Sequence, residues 1–185
     1  MSIQPLQIDN IAFAKRGEHL TGDLSLADCS RLAELLASQV PNLKNGSADI
    51  NALNSISMTD DNIHYTLDGE TNAVGQHFLH LSLTSNLTTF CQRCLETMPL
   101  KLNLNFHYQI IDMNAKHLEL DTAEDSDDFD VQEANQAMDL VALIEDEIIM
   151  ATPIAPTHAH DCAVVAMQSG EKPNPFAVLK GLIKP

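Results

Sequence analysis

Leu100-Lys101-Leu102-Asn103-Leu104-Asn105-Phe106-His107-Tyr108-Gln109-Ile110 decides the fold. Its apolar residues stand at every second position, and the residues between them are polar or basic. Only an extended strand, whose side chains alternate between two faces, puts such a set on one side. One face is then buried and the other wet, as in antiparallel sheet. Upstream, Leu79, Leu81 and Leu83 alternate with His80 and Ser82, and Ile63, Tyr65 and Leu67 alternate with polar neighbours. Asp68-Gly69 reads as the turn that closes the earlier strand.

Helical signals flank this sheet region. Ser25 caps a helix beginning Leu26-Ala27-Asp28, with Asp28 in the reciprocal position of a capping box. Leu26, Leu32, Leu35, Leu36 and Val40 form its apolar side, and Pro41 ends it. Cys29 in that helix reads as a small buried apolar residue. Residues 1–24 read as irregular or extended, with a short strand leading into Leu24. Asp139 caps a second helix carrying Leu140, Val141, Ile144, Ile148 and Ala151, with Pro153 beyond it. Asn174 and Pro175 open a short third helix near the end of the chain. The expectation is a single α+β domain over 1–185, an antiparallel β-sheet with a few helices packed on it. An acidic mobile loop is expected at about 113–136.

Charge narrows the function. Ten Lys and Arg face 26 Asp and Glu, a net charge of −16, and half of those acids lie between Asp112 and Glu147 with Lys116 as the one base. Affinity for nucleic acid rests mainly on cations that displace counterions from phosphate, so this balance disfavours direct RNA binding. The cations that would have to serve, Lys15, Arg16 and Arg31 among them, are scattered along the chain. Aromatic residues are only 4% and Trp is absent, leaving few stacking platforms for single strands. A basic protein fits the charge better; a solvated acidic surface that serves solubility fits it too. No stretch approaches the roughly 18 apolar residues of a membrane span, and Met1 to Asn10 lacks the basic start and apolar run of a signal peptide. A cytoplasmic location is therefore expected, where four cysteines are free or metal-bound rather than paired.

Cys91-Gln92-Arg93-Cys94 lies between two expected strands, where a hairpin can aim both sulfurs at one point. Two thiolates are half of a tetrahedral zinc site. Zinc is the one cofactor this pattern suggests, and His158, His160 and Cys162 offer the remaining ligands. The set is Cys91, Cys94 and Cys162 with His158, or with His160 in its place. The plainer alternative is two thiols partly buried beside a turn. Thioredoxin-like redox chemistry needs the pair at a helix N-terminus, which the pattern does not provide. Glu145, Asp146 and Glu147 invite a magnesium nuclease reading, but consecutive helical residues point about 100° apart and do not converge on one ion. A solvated helix face accounts for them better. No phosphate-cradling glycine loop or nucleophile elbow is present.

Three segments taken in order resemble the YceD family, the large ribosomal RNA subunit accumulation proteins. They are the Cys91–Cys94 turn; the run from Asp139 to Ile149 with Pro153, Pro156, His158 and Cys162 after it; and the closing Lys172-Pro173-Asn174-Pro175-Phe176-Ala177-Val178-Leu179. The resemblance implies a role in synthesis, processing or stability of the large-subunit ribosomal RNA, and it supplies no catalytic residue. Combined with the charge, it predicts a non-catalytic ribosome biogenesis factor. Its acidic span, with Glu145, Asp146 and Glu147, would hold a basic ribosomal protein or assembly factor, or a pre-ribosomal particle, with Phe176 as an apolar anchor. The competing classes are an rRNA-processing enzyme and a zinc or thiol redox protein.

Overall fold

A computed structural model describes residues 6–39, 61–112 and 129–162. In chain order the elements are β1 (Gln7–Ile8), α1 (Asn10–Arg16), β2 (His19–Ser25), α2 (Ser30–Ser38), β3 (Asn62–Thr71), β4 (His77–Phe90), β5 (Thr97–Ile111), β6 (Asp130–Glu133), β7 (Met138–Asp139) and α3 (Leu140–Ala151). Five strands form one sheet in the order β2-β3-β4-β5-β6, and β1 pairs separately with β7. The architecture is the expected α+β, with one departure: β6 runs parallel to β5, so the sheet is mixed.

The alternating pattern places the core. Leu79, Leu81, Leu83 and Leu87 of β4 face Tyr108, Phe106, Leu104 and Leu100 of β5 across the ladder. Phe13 and Ala14 of α1, Leu32 and Leu36 of α2, and Leu140, Ile144 and Ile148 of α3 join this row in one buried cluster. On the other face Ser82 donates to Asn105 Oδ1 at 2.9 Å, and the rings of His80 and His107 lie 3.7 Å apart. That is the wet side.

Several local expectations change. The Ser25–Asp28 capping box forms, but it closes only a 3-10 turn over Leu26–Asp28. Cys29 then leaves helical geometry (φ −113, ψ 80), and the α-helix starts afresh at Ser30. Residues 10–16, expected to be irregular, are helical: Asp9 accepts from the Ala12 amide at 2.9 Å, and Gly17 stops the helix at φ 59. Both signals were in the sequence. The acidic loop expected at about 113–136 lies outside the described residues as far as 128, but its Asp130–Glu133 portion is a strand. The expected closing helix with Phe176 also lies outside the described residues.

Asp68-Gly69 is not a turn. Both residues sit inside β3, which turns later at Asn72–Gly75, where the Asn72 side chain accepts from the amides of Val74 and Gln76. Gly69 marks a close approach instead. A Cβ there would stand 2.7 Å from the Phe13 carbonyl oxygen and 2.8 Å from Ala14 Cα, so α1 can lie on β3 only above a glycine. Gly69→Ala is expected to cost about 1–3 kcal/mol by overpacking. It should lower the urea midpoint without changing the slope of the transition.

Candidate metal centre

The longest ladder in the sheet ends in the Cys-x-x-Cys turn. β4 stops at Phe90 and β5 starts at Thr97 opposite it. Between them the Cys91 amide bonds the Glu96 carbonyl at 2.9 Å and the Leu95 amide bonds the Cys91 carbonyl at 2.8 Å. Leu95 completes the turn with φ 62, a left-handed conformation that costs a residue with a Cβ roughly 1–2 kcal/mol. Both Cys91 and Cys94 are buried.

The chain following α3 supplies the other half. Thr152 ends that helix, its hydroxyl donating to the Ile148 carbonyl at 2.7 Å. The chain then crosses the hairpin tip without regular structure, and the Gln92 amide bonds the Pro156 carbonyl at 2.8 Å. Arg93 binds this arm as a fork. Its guanidinium donates to the carbonyls of His160 (2.7 Å) and His158 (3.4 Å), and its Nε donates to the Cys162 sulfur at 3.0 Å.

Cys91, Cys94, His158 and Cys162 thus converge, each offering one ligand atom, all within 4.8 Å of one another. Cys91 Sγ and Cys162 Sγ are 3.7 Å apart, and Cys94 Sγ is 3.3 Å from His158 Nδ1. A tetrahedral zinc with bonds of about 2.3 Å to sulfur and about 2.05 Å to nitrogen has edges of about 3.8 and 3.6 Å. The four atoms already have the dimensions to hold a metal ion. The His160 ring lies tilted against the His158 ring, 4.9 Å between centroids, and stays outside the group. The choice between the two histidines, open in the sequence, goes to His158 in this geometry.

The two thiols of the turn are driven in opposite directions. Burial pushes the Cys91 thiol up, but the backbone amides of Cys94, His158 and Arg93 and the Cys94 side chain outweigh it and bring Cys91 down to about 5. Burial pushes Cys94 up to about 11, with the sulfurs of Cys162 and Cys91 adding to the effect. Cys29 lies apart; burial, then the carboxylates of Glu145 and Asp28, push it up to about 12, leaving an inert thiol.

The three consecutive acids of α3 do not share one environment. Glu145, expected on a solvated face, is 5% exposed. Its carboxylate accepts from the Leu32 amide at 2.9 Å and from Arg31 Nε at 2.8 Å. The reason lies in α2, whose N-cap residue Cys29 makes no capping bond, so a carboxylate from α3 caps that helix. Asp146 is exposed and pairs with Arg31 at 2.5 Å, while Glu147 accepts from the Tyr108 hydroxyl at 2.7 Å. Arg31, counted in the sequence among the scattered cations, also donates to the Ala142 carbonyl at 3.1 Å. Sequence reading missed the structural roles of Arg31, Arg93 and the buried Glu145. Only the position of Arg93 inside the Cys-x-x-Cys turn hinted at one of them. Glu145→Ala should cost about 2 kcal/mol, because it strands a buried helix amide. Asp146→Ala should cost under about 1 kcal/mol, as an exposed pair does. Urea denaturation of the two variants side by side checks this difference.

Comparison with known proteins bears on the same region. The family described as large ribosomal RNA subunit accumulation protein YceD matches residues 79–183, which include all four residues of the cluster and the whole of α3. A Haemophilus influenzae protein named large ribosomal RNA subunit accumulation protein YceD is 33% identical over 105 residues. The aligned part is 50% of this chain and 57% of that relative, so the chain spans little more than half of the relative's length. No solved structure matches the chain. With more than half its residues under the family's pattern, the chain belongs to the YceD family.

Proposed function

We propose that this chain is a non-catalytic factor that supports accumulation of large-subunit ribosomal RNA by engaging a basic protein of the ribosome or its assembly machinery. The observation that carries the reading is the family match over residues 79–183, taken with the name of the Haemophilus influenzae relative. The charge supports the choice of partner. At −16 the chain repels phosphate and attracts basic proteins. A cleft of about 330 Å³ between α2 and α3 is lined by Asp28, Asp139, Glu145 and Asp146, with Arg31 the one cation among its lining residues. Its size suits one or two basic side chains.

The non-catalytic reading is supported by the carboxylates of α3. Each is committed within the fold: Glu145 to Leu32 and Arg31, Asp146 to Arg31, and Glu147 to Tyr108. Among the described residues no helix is long and apolar enough to cross a membrane.

Co-purification from growing cells tests the proposal. Ribosomal proteins or pre-ribosomal particles should be recovered at low salt and lost at high salt, since exposed charge pairs are screened beyond about 10 Å at 0.1 M. Recovery that ignores salt would remove the electrostatic basis. In the same cells, Glu147→Gln, at a carboxylate outside the cleft lining, should leave large-subunit rRNA levels unchanged. Loss of the rRNA from this correctly folded variant would favour an rRNA-processing enzyme instead.

A further inference from the structure

We propose that Cys91, Cys94, His158 and Cys162 form a closed structural zinc site that clamps the 152–162 arm onto the β4–β5 hairpin, with Arg93 as its positioning residue. Three thiolates and one imidazole are a donor set suited to zinc; the four atoms lie within 4.8 Å of one another, and the Cys91–Cys162 and Cys94–His158 spacings of 3.7 and 3.3 Å are near the edges of a tetrahedron around it. Four protein ligands leave no coordination position for water. A site of this kind holds structure rather than activating a nucleophile.

The arm itself supplies the second observation. Of residues 152–162 only Thr152 and Pro156 are buried, and Ile154, its bulkiest aliphatic residue, is 98% exposed. Apolar burial therefore cannot hold this segment. Its described fastenings converge on one place: the Gln92–Pro156 backbone bond, the three hydrogen bonds from Arg93, and the two ligands His158 and Cys162. A metal ion bonding both sides joins 64 to 71 residues of sequence separation at a point where packing is thin.

Arg93 fits the part of an outer-shell group. A zinc ion with three thiolates carries a net −1, and the guanidinium meets that charge through its 3.0 Å bond to the Cys162 sulfur. Its bonds to the carbonyls of His158 and His160 set the backbone that presents the His158 ring. The same Cys-x-x-Cys turn thus provides two ligands and the group that positions the other two.

Metal analysis of the full chain, purified without chelator, should give one zinc per chain. Cobalt in its place should give the intense visible bands of a tetrahedral thiolate site. His158→Ala should lose both signals and His160→Ala should keep both. Arg93→Gln should retain one zinc but bind it about 10–100-fold more weakly. Subtilisin should cut the wild-type arm between Thr152 and Cys162 faster once zinc is stripped, with the sheet's circular dichroism unchanged. Iron in place of zinc, no metal at all, equal losses at His158 and His160, or cleavage indifferent to zinc would each overturn the proposal. The two histidine variants keep the test decisive if cysteine substitutions prevent folding, because both residues lie on the irregular arm outside the core.

Discussion

The pairing of β4 with β5 runs unbroken from His77↔Ile110 to Phe90↔Thr97, and the other parts of the described structure take their places from it. A slip of one residue would turn Leu79, Leu81, Leu83 and Leu87 toward water and bring His80, Ser82 and Thr84 into the core. The same register fixes the hairpin tip. Because Phe90 faces Thr97, the six residues between them must turn back within a short span, and Cys91 and Cys94 are held side by side at the end of a rigid ribbon. The apolar inner row also provides the surface on which α1, α2 and α3 share a single core.

The helices are joined to one another by fewer and more polar contacts. Asn10, fully buried, donates to the Glu133 carbonyl at 2.8 Å and accepts from the Asn135 amide at 2.9 Å, tying α1 to the segment ahead of α3. Glu145 does the same between α3 and α2 by capping a helix that lacks a cap of its own. Buried polar groups of this kind contribute modestly when paired and cost more when stranded. They specify how the helices are set against the sheet, a matter on which the apolar contacts alone are permissive.

Opposite ends of α3 therefore serve different purposes. Toward its N-terminus, Asp139, Glu145, Asp146 and Arg31 line an acidic cleft; beyond its C-terminus, the arm carries His158 and Cys162 to the hairpin tip. A rigid helix connects these two regions. The proposed partner and the proposed metal thus bear on one element, although they use different residues and different chemistry.

Sequence by itself determined the strand alternation, the sheet's buried face, the Asp139 cap and the three cysteines able to hold a metal together with one of two histidines, because each depends on local periodicity or on residue type. It misplaced the Asp68-Gly69 turn and missed α1, although Asp9 and Gly17 marked that helix's ends. Gly69 looks the same in a turn as beneath a crossing helix; only the position of Phe13 and Ala14 distinguishes them. Tertiary structure alone decided that Glu145 is buried while Asp146 is not, that β6 joins the sheet in parallel, and that His158 rather than His160 meets the sulfurs. These outcomes depend on contacts between segments distant in sequence: 113 residues separate Leu32 from Glu145 and 64 separate Cys94 from His158. Local pattern carries no information about which distant group will arrive; the geometry of the closed core supplies it.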